Sequence, residues 1–196
     1  MGIKGEIMTV KEVLALVAEY LGDTALKDTT QLGGTETATD QQAEKLNLLL
    51  TCVNDVTQSL ATMYFPLKYE EIITNSNDKV QFSTLTKPVL DILKIVDERG
   101  YDVDFSIFPT YFEAKNGKLR VIYTYLPQYS ANFTDSVEIA VDKVSKRLFA
   151  IGVVSRYYLM SGMFSDADAW EVMFERAILM RNSPKSMKTV KKRRWI

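Results

Sequence analysis

Apolar residues along this chain follow two rhythms, and the rhythm changes twice. Over Val10, Val13, Leu14, Val17 and Leu21 they recur at helical spacing. Thr9 and Glu12 stand where a capping box opens a helix, and Gly22 stands where one stops. The polar, Gly- and Thr-rich run DTTQLGGTETATD then predicts a mobile loop. Asp40 is expected to cap a long second helix, with Leu46, Leu49, Leu50, Val53, Leu60 and Met63 in its stripe. That helix runs to Phe65, and Pro66 ends it. A stripe one face wide means that it packs on other helices.

After Pro66 the period shortens to two. KYEEIITNSNDKVQFSTL reads as short β-rich pieces around an Asn/Ser/Asp turn. In VDFSIFP, Val103, Phe105 and Ile107 alternate with Asp104 and Ser106. TYFEAKNGKLRVIYTYLP predicts a hairpin, because Asn116-Gly117 readily takes the positive φ angles of a tight turn. Leu119, Val121, Tyr123 and Tyr125 then share one face of the return strand, and Pro127 closes the run. The expectation is one small antiparallel sheet of about four to six strands.

Helical spacing returns with Val137, Val141, Val144, Leu148, Ile151 and Tyr158, starting after FTDS. The centre of that helix, LFAIGVV, is apolar all round, so neighbours should enclose it. Gly152 inside it costs about 1 kcal/mol relative to Ala, which implies that another backbone comes close there. Ser161-Gly162 ends this helix. Ser165, Asp166 and Asp168 open the next, whose face is Trp170, Phe174, Ala177 and Ile178, and Pro184 breaks it. The Met- and aromatic-rich stretches of these last two helices read as core packing between them.

The fold expected is α+β. A bundle of about four helices (1–66 and 128–184) carries an inserted antiparallel β-subdomain (67–127) and ends in a basic tail (185–196). The length suits one domain, or one domain with an inserted subdomain, and the balance of 46% apolar and 25% charged residues is that of a soluble globular protein. No apolar run is long enough for a bilayer, and the opening MGIKGEIMTVKE lacks a signal-peptide stretch, so neither membrane nor export is expected.

Charge changes this picture more than composition does. The net is −1, but six cations lie in the tail: Lys185, Lys188, Lys191, Lys192, Arg193 and Arg194. Without them eighteen basic residues face 25 acids, so an acidic body carries a basic end. Such asymmetry points to a partner met by the tail. The tail closes on Trp195-Ile196, an apolar pair that a protein pocket can use as an anchor. Phosphate binding would need only the Lys and Arg, so a nucleic-acid-binding protein using this tail is the alternative reading.

Chemistry has few candidates. The chain has no histidine and one cysteine, Cys52, which removes His-dependent nucleophiles, an intrachain disulfide and structural zinc. Glu70 and Glu71 are adjacent in a strand and face opposite sides, while Asp102 and Asp104 share a solvated face. No phosphate-cradling glycine motif occurs. Tyr111, Phe112, Tyr123 and Tyr125 suit cross-strand packing better than base stacking, since few basic residues interleave them. No enzyme, cofactor or metal is implied.

Several strings resemble the head–tail connector (adaptor) proteins of tailed bacteriophages, most of all the podovirus-type rings docked under the portal. They are ATMYFPL, FSTLTKPVLDILKI, YFEAKNGKLRVIYTYLP and AIGVVSRYYLMSGMFSDADAWEVMFERAI, within Asp40 to Asn182. In the last, Tyr157, Tyr158, Gly162 and Trp170 match the family's Tyr-containing helix, short turn and acidic start before Trp. The resemblance implies a structural virion protein, assembled in the host cytoplasm and located in the neck. Its partners would be the portal protein, copies of itself in a ring (commonly of twelve), and the next tail or neck component. DNA would pass through the channel without being read. It further implies that Lys191, Lys192, Arg193, Arg194, Trp195 and Ile196 dock on the portal. The Asn116-Gly117 hairpin is expected to project as a contact toward the tail or a neighbouring copy.

Overall fold

The computed structural model describes residues 8–182, and the docking tail expected at 185–196 lies outside the described residues. The fold is α+β, with five α-helices and two three-stranded antiparallel sheets.

Helix α1 (Val10–Tyr20) begins as its sequence indicates: Thr9 Oγ1 accepts from the Glu12 amide at 3.3 Å, and Glu12 Oε2 accepts from the Thr9 amide at 3.2 Å. The segment that follows is built rather than loose, which corrects the loop expectation. Asp23 accepts from the Leu26 amide at 2.9 Å and so caps a short α2 (Thr24–Lys27), and a 3₁₀ turn covers Thr30–Leu32. Leu26 and Leu32 are buried, and the buried Thr29 hydroxyl donates to the Leu26 carbonyl at 2.7 Å. Within the polar run itself, the buried Leu32 and Thr29 anchor the 3₁₀ turn to the core.

Helix α3 (Asp40–Ser59) is capped by Thr39, not Asp40: Thr39 Oγ1 and the Gln42 side chain form the reciprocal box. Asp40 instead puts its charge in the first turn. Past Ser59 the backbone widens into a π turn over Leu60–Tyr64, closed by the Phe65 amide to the Leu60 carbonyl at 2.7 Å. The added residue shifts the phase of the stripe, so Met63 is 63% exposed rather than packed.

Helix α4 (Lys146–Met160) starts later than the stripe implies. Residues 127–144 run as an irregular strap. Val10 and Lys11 amides donate to the carbonyls of Asp135 and Phe133, and the Val137 amide donates to Met8. Val137 and Val144 reach the core without a helix, while Val141 is exposed. Backbone pairing with the start of α1 outcompetes a helix in this β-branched stretch. Ser145 supplies the true cap. As expected for an all-round apolar helix, α4 is enclosed, by α1, α3 and α5 (Phe164–Asn182). Gly152 has a different reason from the one its sequence suggests. A Cβ there would lie 2.6 Å from the Phe174 ring of α5, so the close neighbour is an aromatic side chain and not a backbone.

The β region contains six strands in two sheets, where one sheet was expected. Strands β1 (Leu67–Asn75), β6 (Gly117–Tyr125) and β3 (Val89–Asp97) form the first sheet in the order β1-β6-β3. The second has β2 (Lys79–Gln81), β5 (Tyr111–Ala114) and β4 (Phe105–Ile107) in the order β2-β5-β4. Their inner faces share one core, in which Val80 and Phe112 meet Ile95, Leu119, Val121 and Tyr123.

The hairpin expected at Asn116-Gly117 does not exist. Strands β5 and β6 never pair; β5 pairs with β2 and β4, and β6 with β1 and β3. The dipeptide is a crossover between sheets. Asn75 pairs with Gly117 and Lys79 with Glu113, so one antiparallel register runs unbroken from β1–β6 into β2–β5. The chain has made a single long ribbon, kinked at 76–78 and 114–116. Nine consecutive pairs along β1–β6 outweigh what a tight β5–β6 turn could offer.

Candidate interaction surfaces

The kink is held by side-chain amides. Asn75 is buried and donates to the carbonyls of Ala114 at 2.8 Å and Lys115 at 3.3 Å. Asn116 Oδ1 accepts from the Asp78 amide at 2.8 Å, across the ribbon. The sharp turn needs left-handed backbone on both sides: Asp78 has φ 55° and Gly117 has φ 128°. Asn116 does not take a positive φ, which is why the tight-turn reading of this pair fails. Residues 115–118 are exposed, beside Lys115 paired with Asp97 at 3.0 Å. That lysine, with the amides of Tyr101 and Arg99, holds the Asp97 carboxyl below the usual carboxylate range.

Inside the β core one polar group is fixed with care. Tyr123 is fully buried; its hydroxyl donates to Glu71 at 2.5 Å and accepts from the Lys87 amide at 3.1 Å. Thr86 adds bonds to both Glu71 oxygens, at 3.0 and 2.7 Å. Burial pushes the Glu71 carboxyl up, but these donors outweigh it and the group sits below the usual range. Burial, with Glu71 beside it, pushes the Tyr123 hydroxyl well up. Glu70 faces the other way and meets Arg120, as adjacent strand residues must. This network ties β1, β6 and the 86–87 turn together.

Polar contacts tie the 127–144 strap both to α3 and to the β region. Asn54 of α3 makes a two-way pair with the Ser130 backbone, at 3.0 and 2.8 Å, and Gln58 donates to the Pro127 carbonyl at 2.7 Å. Lys87 meets Glu138 at 2.7 Å.

The largest departure from the sequence reading lies on α5. Phe174 and Ile178 are buried, and Trp170 stacks near Tyr20 of α1 with ring centroids 5.6 Å apart. The methionines read as core are not in it. Met163 is 51% exposed, Phe164 65% and Met180 78%. Met160 and Met173 are exposed as well. Apolar residues fall on every side of α5, while α4 covers only one side. An open groove of about 360 Å³ runs between α4 and α5 near the C-terminal end of α5, lined by Ile151, Met173, Ala177, Met180 and arginines. Exposed apolar surface of this kind marks contact sites.

Cys52 is fully buried in α3, 3.6 Å from the Met160 sulfur. Burial and the nearby Asp55 push its thiol up to about 12, so it stays protonated and inert. Among the described residues no group of three or more His, Cys, Asp or Glu could hold a metal ion, and no helix is long and apolar enough to cross a membrane.

No protein family matches the chain, and no curated protein matches it. Among solved structures, a chain from the neck of an empty GTA particle, computed with C6 symmetry, is similar at 18% identity and a TM-score of 0.27. The match covers 78% of this chain and 82% of that one. A TM-score this low does not equate the two folds.

Proposed function

We propose that this chain is a structural protein of a phage-type particle neck: a head–tail connector that assembles as a ring between the portal and the tail and extends the DNA channel. The observation that carries the reading is helix α5 with the turn before it, which leaves Met163, Phe164, Met173 and Met180 exposed together with the groove beside α4. A building block needs such a surface and a freestanding enzyme does not. The sequence resemblance to connector proteins supplies the particular assembly.

In this reading the protein sits in the virion neck after assembly in the host cytoplasm. The last residues, Lys191 to Ile196, dock on the portal, and the exposed 115–118 crossover meets the next tail component or a neighbouring copy. Exposed ion pairs are worth about 0–1 kcal/mol each and are screened by salt. A buried Trp195 anchor at a hot spot supplies about 2–4 kcal/mol, repeated in every copy.

The test is portal binding at low and high salt by the full chain, by Trp195→Ala, by Lys191→Ala and by a chain ending at Ser186. The tryptophan variant should bind more weakly at both salt levels and the lysine variant chiefly at low salt. Binding unchanged by removing 187–196 overturns the docking assignment. Failure of the full chain to bind the portal or enter particles overturns the function. Tight duplex binding by the monomer, lost with the tail, would establish the nucleic-acid reading instead.

A further inference from the structure

The α4–α5 hairpin carries two apolar surfaces with opposite charge. At its tip Met163 and Phe164 stand in solvent beside Asp166 and Asp168. At the far end the groove exposes Met173 and Met180 among Arg147, Arg176 and Arg181. Among the described residues none of these two acids and three arginines forms an ion pair, although nine pairs form elsewhere.

Helix dipoles account for part of this pattern, since acids favour the start of α5 and Arg181 its end. They do not account for Arg147, which lies in the first turn of α4, where the dipole disfavours a cation. Nor do they account for apolar side chains held in water at both ends. Glu175 is the one acid of α5 near the groove end, and it does not line the groove.

We propose that the hairpin docks on a second copy of this chain: the acidic, apolar tip of one copy seats in the arginine-rimmed groove of the next. The chain's own end is a poor occupant, because Lys185 to Arg194 bear the same sign as the groove. Helical rise puts Phe164 and Met180 about 24 Å apart on one chain, so tip and groove cannot meet within a copy. Because the two patches differ, the contact is head-to-tail, and such contacts propagate until they close a ring. The ring sense of this contact rests on the connector reading above; the contact itself is tested separately.

The experiment is covalent trapping at high protein concentration with the full chain. A Phe164→Cys, Met180→Cys variant, mildly oxidised, should give a ladder of disulfide-linked dimers, trimers and larger species. Each single variant should give none. A disulfide needs Cα atoms within about 7 Å, so an intrachain bond cannot mimic the result. Charge reversal supplies an independent arm. Asp166→Lys with Asp168→Lys, or Arg147→Glu with Arg176→Glu, should each abolish the association seen by sedimentation. Mixing the two reversed chains should restore it, since each tip then meets a groove of opposite sign. All these residues are exposed, so the fold should survive each change. No ladder, or equal dimers from Phe164→Cys alone, overturns the proposal. A ladder from a chain that fails to enter particles leaves this contact standing while the connector reading falls.

Discussion

The helical core and the β core of this chain are assembled in opposite ways. The helical core gathers Met8 to Phe65 from one side of the insertion and Val137 to Ile178 from the other, so it closes only when distant parts meet. The β core takes every buried member from Val80 to Tyr123, a continuous stretch. The two clusters share no residue. At the seam Lys87 of the β region bonds Glu138 of the strap, whose Val137 and Ile139 lie in the helical core. Such a seam should let one body loosen while the other holds, because residues without shared partners behave independently.

The strongest way to break that comparison is to empty each core in turn. Phe149 and Phe112 are both fully buried, one in each core. Replacing either by Ala should cost about 3–5 kcal/mol. Phe112→Ala should raise hydrogen exchange across 67–125 while most of the helical circular dichroism remains. Phe149→Ala should do the reverse. If both variants lose all protection in one transition, the two cores are thermodynamically one.

The kink sharpens the comparison next. Asn75→Ala leaves the buried Ala114 carbonyl without this donor, removes a second bond to Lys115, and should cost about 1–3 kcal/mol. Exchange should rise at 76–81 and 111–117 before the β1–β6 ladder yields. A uniform loss along the whole ribbon would show that the kink is not a separate unit.

A smaller effect is expected on the helical side. Thr39→Ala removes the α3 capping box and should lower stability by about 1 kcal/mol in a denaturant melt, with the β region untouched.

Acid should produce the smallest change, and in both bodies. Glu71 in the β core and Asp23 in the helical body are held below their usual range, the first by Tyr123 and Thr86 against burial, the second by Lys45 and the Leu26 amide. A depressed carboxyl contributes stability that is present above its unfolded pKa and is lost as pH falls through the folded value. Stability should therefore decline on acidification below the ordinary carboxylate range. Glu71→Gln should flatten that decline for exchange within 67–125, and Asp23→Asn for α1–α3. A decline unaffected by either variant would place the acid sensitivity elsewhere.

Much of this architecture was legible in order and period. The capping box at Thr9, the stop at Gly22, the inserted β region, the inward face Leu119, Val121, Tyr123 and Tyr125, and the enclosure of α4 all follow from local spacing. These features depend on residues a few positions apart, whose interactions the sequence lists directly. Of the candidate sites, the strand faces of Glu70 and Glu71 were legible for the same reason. The α5 surface was not. Whether a methionine is core or contact depends on how much of the helix its neighbours cover, and α4 covers one side only.

What the sequence alone determined, then, is the order of helical and β regions, the inward faces of α1 and β6, and that an acidic body carries a basic end. What only the tertiary structure decided is how strands were shared out and what lay over each helix. Asn116-Gly117 is as good a tight turn as the alphabet offers, yet the chain spends it on a crossover. The reason is that β6 gains more from long pairing with β1 and β3 than from its sequence neighbour. Likewise Gly152 is demanded by a ring on α5, Met63 is turned out by a π turn, and Val137 is buried without a helix. Each of these outcomes is a competition between a local preference worth about a kilocalorie and non-local contacts worth several. The partners in those contacts are far away in the chain, and folding is what brings them together.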